Sequence, residues 1–161
     1  MSSSIHDHFM REALKQARLA FEKGEIPVGA VVVLDNRVIA RAHNQMESLK
    51  DPTAHAEMIA LTQASAAVSE GKNGHRGSLE KASLYVTLEP CSMCAGAIVL
   101  TKLTNLVYGA HDPKAGACGS VHNIVENDRL NHRSSVIRGV MEQDSKLFLQ
   151  EFFKSLRKDR R

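Results

Sequence analysis

The run Leu84-Tyr85-Val86-Thr87-Leu88-Glu89-Pro90-Cys91-Ser92-Met93-Cys94-Ala95-Gly96-Ala97-Ile98-Val99-Leu100 decides how the chain is read. Residues 84–88 are apolar and read as a strand, and residues 95–100 read as the body of a helix. The two thiols therefore sit where a strand hands over to a helix start. Residues at i and i+3 share a helical face, so both sulfurs can approach one ion at about 2.3 Å, and the positive end of the helix favours their thiolate forms. Two ligands do not close a tetrahedral site. Cys91 and Cys94 read equally well as a redox pair or as two buried small residues.

A third donor lies upstream, in His55-Ala56-Glu57. Pro52 suits a first helical position, Asp51 suits a cap, and residues 54–68 are alanine-rich, so His55 is expected near a helix start as well. Glu57 stands two residues on, roughly 200° around an ideal helix, and is not expected to join His55 on the same ion. Its carboxylate is left for proton transfer. Three protein ligands with one open position mark a catalytic zinc site, whereas structural sites close with four. The expectation is one Zn²⁺ per chain on His55, Cys91 and Cys94, with Glu57 as the catalytic group.

His-x-Glu followed by Pro-Cys-x-x-Cys resembles the signature of the zinc nucleobase deaminases. The likeness continues through residues 26–31 (IPVGAV), 42–44, 55–61 (HAEMIAL), 85–98, 109–120 (GAHDPKAGACGS), 131–133 and 152–157 (FFKSLR). Over that span the chain is similar to the bacterial tRNA adenosine deaminases. The resemblance implies a cytidine deaminase-like fold, hydrolysis of the wobble adenosine of a tRNA anticodon stem-loop to inosine with release of ammonia, and a homodimer. It also implies that Asn44 contacts the base, that Asp112 faces the RNA backbone or sugar, and that Asn131 belongs to the substrate site. Read alone, Asn44 and Asp112 are ordinary turn formers.

A length of 161 residues suits one domain, taken here as 1–161. No apolar run approaches the ~18 residues of a membrane span, and the N-terminal MSSSIHDHF lacks the order of a signal peptide, so a cytoplasmic protein without a membrane partner is expected. Three cysteines, two of them paired in a metal-like motif, argue against a disulfide framework and leave Cys118 over. A net charge of +3 is too mild to establish a nucleic-acid partner.

The remaining pattern predicts a helix over 7–23, a hairpin of 28–34 with 37–42, an exposed loop over 69–81, strands over 82–88, 103–108 and 136–140, and a helix over 142–158. Strands separated by helices, with one early hairpin, give an α/β fold: a three-layer α/β/α domain on a sheet of about five strands. The 69–81 loop departs from the family pattern, being longer, with His75 and no aromatic residue. In the last helix Leu147, Phe148, Phe152 and Leu156 fall at core spacing, and Phe153 is out of phase. Lys154, Arg157, Lys158, Arg160 and Arg161 end it with positive charge suited to phosphates, which makes Phe153 and Arg157 candidate RNA contacts. Aromatic residues make up 4% of the chain, too few for a broad base-stacking platform.

Three other functions compete. A deaminase of free guanine, cytosine or a nucleotide shares the same His, Glu and Cys pair. A structural zinc module could recruit Cys118 as its fourth ligand, but leaves Glu57 without a role. An RNA-binding module without chemistry would need neither zinc nor Glu57.

Overall fold

Val31, Val32 and Val33 are buried one after another in the strand Gly29–Leu34 (β1), because both faces of the sheet are covered. The computed structural model describes residues 3–159. Ser3–Glu22 forms α1, and after β1 the chain turns back as β2, Arg37–His43. Asp35 and Asn36 both take positive φ between them, the signature of a two-residue hairpin turn whose twist matches the strands. Then come α2 (Met46–Leu49), α3 (Ala56–Ser69), β3 (Ser83–Leu88), α4 (Ser92–Thr101), β4 (Asn105–Ala110), β5 (Ser135–Ile137) and α5 (Glu142–Asp159).

The five strands lie in the order β2-β1-β3-β4-β5, with β1 antiparallel to both its neighbours and β3, β4 and β5 parallel. Register and pleat sort the side chains cleanly. Val31 pairs with Tyr85 and Tyr85 with Val107, and this row packs under Phe9, Met10, Ala13 and Leu14 of α1. Val32 pairs with Leu84 and Leu84 with Leu106, and that row faces Ala60, Ala64 and Ile98 of α3 and α4. The result is the α/β/α layering expected, with α1 and α5 on one face and α3 and α4 on the other. Met10 is fully buried, so its truncation to Ala should cost about 2–5 kcal/mol. Gly29 lets α1 approach β1, since a Cβ there would overlap the backbone of Ala13 and Ala17.

Several expectations need correction. α3 starts at Ala56 with His55 at its N-cap, not at Pro52, because Asp51 Oδ1 accepts from Thr53 N at 2.8 Å and closes a separate turn that contains Pro52. β5 spans only Ser135–Ile137, since Arg138 turns its guanidinium to the Cys118 carbonyl and Gly139 follows at φ +79°. Leu147 is 58% exposed because the buried stripe of α5 runs through Ser145, Phe148, Leu149 and Phe152, one position away. Leu156 is in phase with that stripe, yet it is 37% exposed and lines a surface groove with Lys114. The short α2 was not expected at all. Arg160 and Arg161 lie outside the described residues.

Candidate active site

Two helices present their first turns to one point. His55 and Cys91 are the N-cap residues of α3 and α4, both in extended backbone conformation and neither making a side-chain cap bond. Their side chains are engaged with each other. His55 Nδ1 lies 3.6 Å from Cys91 Sγ and 3.6 Å from Cys94 Sγ. Among the described residues, these three form a group able to hold a metal ion, with ligand atoms within 4.8 Å of one another. A tetrahedral ion with sulfur at about 2.3 Å and nitrogen at about 2.0–2.1 Å sets its nitrogen and sulfur ligands about 3.6 Å apart, so the residues fit. The Pro52 carbonyl is a further hydrogen-bond partner of the His55 ring, the kind of outer contact that fixes a ligating imidazole.

The thiols divide their protons unequally. Hydrogen bonding from Cys94, and then from His55, brings Cys91 down to about 3, whereas Cys94, donating to Cys91 and fully buried beside Glu57, is pushed up. The pair thus carries one negative charge readily, and a cation is what draws off the second proton.

Glu57 is 4% exposed, in the first turn of α3, and is not part of the His-Cys-Cys group. Burial is the main influence on its carboxyl and raises its pKa; its own backbone amide and His55 pull the other way. A carboxyl whose pKa burial raises holds a proton more readily, which suits a group that must both take and give one. His55, Glu57 and Cys91 line a cavity of about 210 Å³, while Cys94 lies behind it. The other walls are mostly apolar: Ile26, Val28, Met46, Leu88 and Ala115.

Asn44 is in the same cavity, 4% exposed, and its buried Oδ1 has no hydrogen-bond partner among the described residues. Such an atom costs free energy unless a ligand donates to it. The backbone behind it is well held. Asn44 N donates to Val28 O at 3.1 Å, and His43 Nδ1 lies 2.9 Å from Asn44 O. Lys23 Nζ, which can only donate, is 3.3 Å from His43 Nε2, so the proton of a neutral His43 must sit on Nδ1 and point at Asn44 O.

Asp112 also lines the cavity and closes a turn of its own, Oδ1 accepting from Lys114 N and Ala115 N at 3.0 and 3.2 Å. Phe153 is 44% exposed and lines a groove with Ile26, Leu88, Asp112 and Ala115, four residues that also line the cavity. Lys114 and Phe153 continue from there into a second groove with Leu156 and Arg157. Asn131 stands apart. It is exposed, and its neighbours His132 and Ser134 bond to Leu103 O, just before β4, whereas the cavity lies by the far ends of β3 and β4. Cys118 is fully buried, outside the metal-binding group, with its Sγ 3.9 Å from Pro90 O.

Two residues that hold the site were not singled out from sequence. Glu25, 1% exposed, accepts from Glu47 N and Ser48 N at 2.8 Å and from Ser48 Oγ at 2.6 Å, tying down α2 and with it Met46. Glu89, 2% exposed, plays the corresponding part for the 111–120 loop. Their signal was available: a carboxylate set close to a buried strand, Glu25 shortly before β1 and Glu89 directly after β3, has to find donors.

A His-Cys-Cys donor set at two helix starts, with a buried carboxyl beside it on an apolar cavity, defines a hydrolytic deaminase of the cytidine deaminase superfamily. Comparison with known proteins is in accord. A profile of the MafB19-like deaminase family matches residues 4–157. The tRNA-specific adenosine deaminase of Bacillus subtilis is 45% identical over 153 residues, covering 95% of this chain and 91% of that protein. The tRNA-specific adenosine deaminase of Aquifex aeolicus is 46% identical, covering 94% and 95%. A solved structure from work on A-to-I editing by tRNA:A34 deaminases superposes with a TM-score of 0.80 at 44% identity, covering 88% of this chain and 99% of that one. The chain belongs to the family of tRNA-specific adenosine deaminases.

Proposed function

We propose that this protein converts the wobble adenosine of a tRNA anticodon stem-loop to inosine, with one Zn²⁺ per chain on His55, Cys91 and Cys94. The observation that carries the substrate assignment is the continuity of the cavity with the grooves along Asp112, Lys114, Phe153 and Arg157. At about 210 Å³ the cavity is smaller than the roughly 300–1,000 Å³ usual for drug-sized ligands. It admits a base and leaves sugar and phosphates outside, along the groove. A base in a paired stack cannot enter, so the substrate is a loop whose target nucleotide can splay out.

Zinc in such a site supplies an acidified water close to the carbon that carries the exocyclic amine. Glu57 takes a proton from the attacking water and delivers it to N1 of adenine as the bond to C6 forms. The carboxylate then takes the proton of the new C6 hydroxyl and passes it to the amine, so that the C6–N bond breaks, ammonia leaves and the C6 carbonyl of inosine forms. Asn44 Oδ1 accepts a hydrogen bond from the base, and the apolar walls exclude bulk water. Asp112, Phe153 and Arg157 hold the flanking nucleotides. Asn131, remote from this chain's own cavity, reaches RNA only beyond the target nucleotide or beside a second copy.

The reading further takes residues 1–161 as one deaminase domain, acting in the cytoplasm as a homodimer. Among the described residues no helix is long and apolar enough to cross a membrane. A dimer is supported by α4, whose outer side is Met93, Gly96, Ala97 and a Leu100 that is 84% exposed.

Replacing Phe153 and Arg157 by Ala tests the groove. The variant should raise KM for stem-loop RNA and flatten the salt slope of binding by about one unit for a lost phosphate contact, without altering base choice. Unchanged RNA processing would favour a deaminase of free bases.

A further inference from the structure

We propose that Glu89 is a positioning residue that sets the Asp112 wall of the base cavity, an inference that rests on the deaminase reading above. Residues 111–120 contain no helix and no ladder strand, only isolated bridges and turns, yet they form one side of the cavity through Asp112 and Ala115. What shapes them is a single carboxylate. The Glu89 side chain is fully buried, and its two oxygens have different clients. Oε1 accepts from Asp112 N at 3.0 Å and from the Ser120 hydroxyl; Oε2 accepts from Cys118 N at 3.1 Å and Ser120 N at 3.0 Å. His111 Nδ1 lies 3.7 Å from Oε1.

The loop is wrapped around this group, since a Cβ on Gly116 would overlap the carboxylate. Only glycine lets the chain pass there. Next to it Ala117 N donates to Pro90 O at 2.8 Å and Cys91 bridges to Gly116, so the wall is docked onto the segment that carries a metal ligand. Glu89 is an anchor with four donors, two on each oxygen.

The asymmetry of the oxygens makes the role separable from general stability. Glu89→Gln has one favourable orientation, with its carbonyl at the Oε2 position, keeping Cys118 and Ser120. Its NH₂ then faces a Ser120 hydroxyl that can rotate to accept, and an Asp112 amide that cannot. Only Asp112 is released.

The test uses zinc-loaded full-length protein. In E89Q, amide hydrogen exchange at Asp112 should accelerate by about tenfold or more, with Cys118 and Ser120 still protected. With stem-loop RNA, KM should rise about fivefold or more with kcat within about twofold, and in an Asp112→Ala background E89Q should add nothing further. Exchange at Asp112 that does not change, protection lost evenly across 112–120, or effects of E89Q and D112A that multiply would each overturn the proposal. If E89Q does not fold, Gly116→Ala, which drives a methyl against Glu89 Oε2 and the Asp112 carbonyl, should accelerate exchange at Asp112, Cys118 and Ser120 together and raise KM for stem-loop RNA, and unchanged exchange at Asp112 counts equally against the proposal. A parent protein inactive on stem-loop RNA would refute the deaminase reading instead, and the exchange measurement would still decide the role of Glu89.

Discussion

His55 Nδ1 and Cys91 Sγ stand 3.6 Å apart although each residue belongs to a different helix start, one before α3 and one before α4. Because each is the residue just ahead of its helix, neither uses its side chain as a cap, and both are free to meet. The chemistry of the site follows from that meeting.

The metal assignment predicts about one zinc per chain in purified protein. Cys94→Ala should lose it, because the remaining His55 and Cys91 leave the ion two protein ligands. Cys118→Ala should retain it, as Cys118 is a buried residue touching Pro90 O. Metal content by elemental analysis decides the point, and zinc lost in the Cys118 variant but kept in the Cys94 variant would reverse the ligand set.

Glu57→Gln preserves shape but not basicity. Deamination should fall by about 10² or more while zinc content and RNA affinity persist. Near-normal turnover in this variant would remove Glu57 as the proton carrier.

How much of this was legible in sequence depends on whether the cause was local. The hairpin was readable because Asp35 and Asn36 sit between two β-rich runs, and the grouping of His55 with Cys91 and Cys94 because the two cysteines have a fixed helical spacing that leaves room for a third donor. Helix boundaries at His55 were not, because Asp51 and Thr53 make a turn that competes with a cap using the same residue types. Exposure of Leu147 and Leu156 depends on how α5 is rotated and where it lies against the rest of the chain, which helical spacing does not state. Glu25 and Glu89 escaped notice because their donors come from loops that are distant in sequence, from Glu47 and Ser48 in one case and from residues 112–120 in the other.

Glu25 gives a pH prediction. Burial alone would raise its carboxyl, but the Ser48 hydroxyl, the amides of Glu47 and Ser48, and His43 together hold it below its ordinary value of 4.5. A depressed folded-state pKa means stability that is fully present above about pH 4.5 and is lost as pH falls through the folded value. Glu25→Gln has no such group to protonate. The difference in urea midpoint between parent and variant should therefore be constant above pH 5 and narrow toward pH 3; a gap independent of pH would contradict the linkage.

The outer side of α4 makes the dimer testable. Leu100→Glu places a charge at the most exposed apolar residue of that helix and should shift sedimentation from two chains toward one. A parent protein that already sediments as a single chain at micromolar concentration would refute the homodimer.

The central claim is that a loop adenosine, rather than a free base, enters the cavity beside Glu57. Its most direct test is a parallel rate measurement with the zinc-loaded parent on an anticodon stem-loop carrying adenosine at the wobble position and on free guanine, cytosine and adenosine. The account predicts inosine and ammonia from the stem-loop at a kcat/KM at least about 10² above any free compound, since on the proposed reading only the stem-loop engages the grooves lined by Asp112, Phe153 and Arg157. Faster deamination of free guanine or cytosine than of the stem-loop would contradict it.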